Sequence, residues 1–195
     1  MIQRSPQLLI STATAFAGLL PSASADERRC LVAMVRRGVG LEGDGSWDAA
    51  IVNHWGYWSH FDHESEQSSW PVIAAASADD LNEFGLLKGV LRDEPEAGDI
   101  FLQHSPMHRG FVRAGVLARV VARGAVDEER RYFDVLTIEG NTGAAGQPGG
   151  EQTLRVERRL SPERGDCFLR WMDLDDGAGA VDPTAPADTL IRRAA

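Results

Sequence analysis

Cysteine is scarce in this chain: only Cys30 and Cys167 occur in 195 residues. They lie far apart, so they make neither a CxxC redox pair nor a zinc-ligand spacing, and the residues alone leave open a disulfide or two buried thiols. Excess positive charge is missing too. The formal net charge is -9, and the arginines are scattered among acids instead of forming a basic stripe with interleaved aromatics, which excludes nucleic acid as a partner. No apolar run reaches the roughly 20 residues that a membrane span needs. No internal repeat is visible. What is there, 43% apolar and 25% charged residues, fits one globular domain with a real core.

The first 25 residues read as an export signal. Arg4 lies in a short n-region, an apolar stretch runs from Leu8 to Leu20, and Ala23-Ser24-Ala25 before Asp26 is a small-x-small cleavage site. The alternative is a packed amphipathic helix opened by Ser5-Pro6, with Pro at its first position. The signal reading places the protein outside the cytoplasm, secreted or periplasmic, as residues 26–174 with a flexible tail at 175–195; the packed-helix reading leaves a cytoplasmic protein.

Along the chain, Cys30, Leu31, Met34 and Val35 recur at helical spacing over 26–37. A second helix, capped by Ser46, carries Trp47, Ile51 and Trp55 every fourth residue and ends near Trp58. Residues 59–70 are polar and aperiodic, which predicts an exposed loop. Ser77 caps a third helix with Ala78, Leu81, Phe84 and Leu86 or Leu87 as its apolar stripe, closed by Gly89. After Pro95 the period falls to two. Strands are predicted over 99–104, 111–122, 132–139, 152–159 and 167–172, consecutive and therefore an antiparallel meander. The fold class is α+β, with N-terminal helices followed by a five- to six-stranded antiparallel sheet.

Three marks occur in order in the second half: Pro95-Glu96-Ala97-Gly98-Asp99, then Arg113-Ala114-Gly115-Val116, then Glu139-Gly140-Asn141. Together, over roughly residues 70–173, they resemble the CHAP family of papain-like, cysteine- and histidine-dependent amidases and endopeptidases. The resemblance implies a papain-like fold and cleavage of amide or peptide bonds in cell-wall polymers. Such chemistry needs a thiolate at a helix N-terminus, a histidine on the facing strand as base, and a polar residue orienting that histidine.

Two of these parts are missing. The family histidine falls on Arg113, whose guanidinium cannot give up a proton near neutral pH. At the start of the third helix, Ser77-Ala78-Asp79-Asp80 offers no thiol, so the nucleophile's place falls on Ala78. Glu139 and Asn141 match the family's third and fourth catalytic positions, without a histidine to orient. Replacement groups are few: His104 and His108 in the turn after the first strand of the sheet, and Ser77, whose capping duty already explains it.

Residues 53–70 hold His54, His60 and His63 beside Asp62, Glu64 and Glu66, but their spacing matches no standard zinc pattern, so neither metal nor cofactor is expected. Tyr57, Trp58, Phe61 and Trp70, with His60, His63 and Arg113, are instead the candidate ligand-binding residues, as aromatic faces that stack on sugar or peptide; for the four aromatics the competing assignment is core. The resulting expectation is a CHAP-like domain without catalysis that binds peptidoglycan or a peptide. The alternatives are an active hydrolase with relocated groups, or a structural piece of an envelope or phage-like assembly.

Overall fold

The structure is a computed structural model that describes residues 4–19, 23–40, 47–71, 75, 77–126, 130–142 and 152–174. Four helices, α1 (Pro6–Leu19), α2 (Ala25–Gly38), α3 (Asp48–Ser59) and α4 (Ala78–Lys88), precede or flank the strands β1 (Phe61–Asp62), β2 (Gln67–Ser68), β3 (Leu91–Arg92), β4 (Ile100–Ser105), β5 (Gly110–Ala125), β6 (Arg131–Thr142), β7 (Gln152–Leu160) and β8 (Cys167–Leu169). The protein is α+β, with a six-stranded antiparallel sheet in the order β3-β8-β4-β5-β6-β7 and a separate β1-β2 hairpin.

Local chemistry explains most of the boundaries. Ser24 and Ser77 each accept from the backbone N–H three residues on, and Glu27 and Asp80 return the bond, so α2 and α4 both open with a capping box. Ser46, the expected cap of α3, lies outside the described residues. Strands β4 to β7 form the expected meander. The last strand breaks it, because β8 pairs with β4 and β3 instead of with β7.

The sheet separates two cores. On one face Ile100, Leu102, Ala114, Val116 and Ile138 pack beneath the helices with Leu9, Val52, Trp55, Leu81 and Trp171. On the other, Phe101, Leu117, Phe133, Val135, Leu160 and Phe168 form a second cluster. The split follows from the strand period of two, since Phe101 lies between Ile100 and Leu102 and must face the opposite way.

Two expectations hold only in part. Residues 63–67 are exposed, as expected of 59–70, but β1 and β2 pair within the segment, and His60, Ser68 and Trp70 are buried. A polar sequence was outweighed here by Trp70, which packs where Gly56 leaves room on α3. On α4, Ala78 and Leu81 are buried and Phe84 packs partly buried against the core, as expected, joined by Gly85, while Leu86 and Leu87 are 65% and 73% exposed. The helix approaches so closely that Leu91 fills the space at Gly85, which rolls both leucines outward.

Residues 6–19, within the expected signal, form α1, the packed helix of the alternative reading. Leu9 and Ala13 are fully buried in the helix-side core. The residues before α1 are also tied in: Arg4 donates to the carbonyls of Ser69 and Leu174, and the Ser5 N–H donates to His60 Nε2 at 3.0 Å. The expected tail, 175–195, lies outside the described residues. Among the described residues no helix is long and apolar enough to cross a membrane.

Candidate functional site

The helix that reaches the strand of Arg113 is α3. Its first residue, Asp48, is buried, and Oδ2 accepts the Ala114 N–H at 2.8 Å while Oδ1 lies 3.1 Å from the Ala49 N. A carboxylate is favourable at this position because the helix start presents unpaired N–H groups and positive dipole charge. The approach is close. A Cβ at Gly140 would stand 2.5 Å from Ile51 and 2.9 Å from the Trp47 ring, so the Glu-Gly-Asn segment needs glycine to let α3 dock.

The start of α4 also touches β5, but earlier, where Asp79 Oδ1 accepts the Phe111 N–H at 2.7 Å. The helix start that reaches the Ala114 N–H carries Asp48, an aspartate.

Arg113 itself projects with Gly115 and Glu139 onto the face opposite the helices: a Cβ at Gly115 would lie 2.7 Å from the Phe101 ring and 3.1 Å from Glu139 Cγ. Glu139 is fully buried and held on both oxygens. Arg113 Nη1 donates to Oε2 at 2.7 Å, and Arg158 grips both oxygens in a fork, Nε to Oε1 at 2.7 Å and Nη2 to Oε2 at 2.6 Å. Thr137 Oγ1 adds a contact of 2.5 Å to Oε1. Charge-assisted bonds of this number and length fix a carboxylate rather than free it for proton transfer. The sequence reading missed Arg158 and Thr137. Strand periodicity could have found Thr137, two residues before Glu139, but Arg158 comes from β7 through pairing that no local pattern encodes. Asn141 is mostly buried and adopts a left-handed backbone conformation, φ 55°, which asparagine tolerates better than most residues.

The other named residues are dispersed. Cys30 is exposed on α2 and Cys167 is partly buried, its thiol pushed up to about 12 by burial and by Asp166 and Asp93; both are free. The disulfide alternative is excluded, as is a pair of buried thiols. His104 packs edge-on against Phe111, with Nδ1 3.1 Å from the Arg164 carbonyl, and His108 is exposed in the turn.

The expected aromatic platform divides. His60 and Trp70 are interior: His60 is fully buried, and its ring packs against Trp70 and Trp171. They are removed from the ligand-binding set. Tyr57, Trp58 and Phe61 stay together at the surface, ring centroids 5.3–5.4 Å apart, with Trp58 49% exposed and His63 edge-on to Phe61. Among the described residues no group of three or more His, Cys, Asp or Glu is arranged to hold a metal ion.

No protein-family model matches the chain, and neither a curated protein nor a solved structure matches it.

Proposed function

We propose that this chain is a CHAP-like domain that has given up thiol hydrolysis and acts by binding a cell-wall peptide or glycan. The observation that carries the reading is the state of the two residues where catalysis would be sought. The start of α3 carries Asp48, committed to the Ala114 N–H, and Arg113 is committed to Glu139 on the other face of the sheet. A nucleophile and its base must lie within hydrogen-bond reach of each other, and no thiol or imidazole of the described residues bonds to either group. Support for the family itself comes from the ordered motifs around Asp99, Arg113 and Glu139 and from the helices-then-sheet arrangement they sit in.

The test is incubation of the full chain with purified peptidoglycan, with and without chelator and iodoacetamide. The expected result is retention of the protein on insoluble cell wall and no release of amines. Amine release abolished by one substitution in the chain would establish a relocated active site instead.

A further inference from the structure

The Glu139 cluster brings two guanidiniums to one carboxylate, and the partners of those guanidiniums differ. Arg113 spends only Nη1 on Glu139, and its Nε and Nη2 hydrogen-bond to nothing among the described residues. The arginine side chain is nonetheless only 7% exposed. A guanidinium so deeply placed, with one edge left open, is costly unless that edge is used.

The open edge has a defined shape. Nε–H and Nη2–H of one guanidinium lie parallel and match the two oxygens of a planar carboxylate. The group is also held in advance. Glu139 fixes Nη1, Arg158 and Thr137 fix Glu139, and Gly115 provides the bare strand surface over which Glu139 passes. Side-chain entropy that a surface arginine would lose on capturing a ligand has already been lost in folding. The nearby Asp48 does not take the edge, because Oδ2 is directed to the Ala114 N–H and Arg113 forms an ion pair with Glu139 alone among the described residues.

We propose that Arg113 is the floor of a carboxylate-binding site, and that the ligand it takes is a peptide or similar molecule bearing a free carboxylate. This assignment rests on the binding-domain reading above and names the group that such a domain would recognise. The position resembling a catalytic base would serve as an anion anchor, with Glu139 as its positioning residue.

The experiment is a titration of the full-length protein, followed by calorimetry and by NMR of the arginine Nε–H resonances. The probes are acetyl-Ala-Ala with a free C-terminus, the same peptide as its amide, and inorganic phosphate. The peptide acid is expected to saturate and to move the Arg113 Nε–H resonance, while the amide does not bind. Arg113→Lys keeps the charge but loses the fork and should weaken binding about tenfold or more. Arg113→Met should abolish it, and Arg113→Lys carries the test if the methionine variant does not fold.

Equal binding of acid and amide, binding unchanged in Arg113→Lys, or binding of phosphate but not of the peptide acid would each overturn the proposal. Hydrolysis of cell wall by a protein that still binds the peptide acid through Arg113 would sink the non-catalytic reading and leave this site standing. A protein that neither cleaves cell wall nor distinguishes acid from amide would do the reverse.

Discussion

Glu139 is the residue on which the site cluster depends, because it pairs with both Arg113 and Arg158. Glu139→Gln keeps the size but leaves the Arg113 guanidinium, 7% exposed, without its counter-charge and removes the carboxylate that Arg158 holds in a fork. Breaking a buried pair from one side costs roughly 3–5 kcal/mol, so urea unfolding should shift by that order. Asp48→Ala should cost less, about 1–3 kcal/mol, because it strips a buried backbone N–H of its acceptor without stranding a charge. The thiols offer an independent check on the structure. Cys30 is exposed, whereas Cys167 is held up at about 12 and its Sγ lies 3.8 Å from Asn82 Oδ1. One cysteine should react quickly with a thiol reagent in the native protein and two in denaturant without reductant. A native protein with no reactive thiol would contradict that arrangement.

Among the elements, α1 is the one whose sequence and structure pull hardest in different directions. Its apolar run and small-residue boundary fit an export signal, yet Leu9 and Ala13 are sealed in the core and the segment is clamped by His60 and by its own Arg4. Leu9→Ala is therefore expected to destabilise by about 2–5 kcal/mol, and a chain beginning at Ala23 should lose its cooperative thermal transition. The same contact makes stability depend on pH. His60 accepts the Ser5 N–H on Nε2, so the neutral ring carries its proton on Nδ1, toward the Gly56 carbonyl and the Ser59 hydroxyl. Burial holds His60 below the ordinary histidine value and pushes His54, packed against Phe16 of α1, down to about 4. In both cases the unfolded chain binds the proton more tightly. Stability is fully present above about pH 6.5 and falls as the pH drops toward 4, by roughly 2–3 kcal/mol for His54 alone. Asp99 and Asp166, raised by burial, oppose this in the carboxylate range. Melting temperatures between pH 7 and pH 5 should decline, and His54→Phe should flatten the slope.

At the scale of the whole molecule, local signals governed what formed and long-range pairing governed where it went. Ser77 and Gly89 marked their helix ends because a cap is a contact within a few residues, and period-two alternation marked β4 to β7 because it reports which side of a strand is buried. His60 and Trp70 were not legible, since a short polar hairpin hides its burial until Trp171, about a hundred residues later, packs against both. The site divided along the same line. Sequence by itself determined the α+β class and the order of helices before sheet; these depend on residue identity and on contacts close along the chain. Tertiary structure alone decided that β8 inserts beside β4, that α3 and not α4 brings its first residue to Ala114, and that Arg158 reaches across from β7 to close on Glu139. Those choices depend on which distant surfaces fit together, and a fit between surfaces leaves no period in the chain.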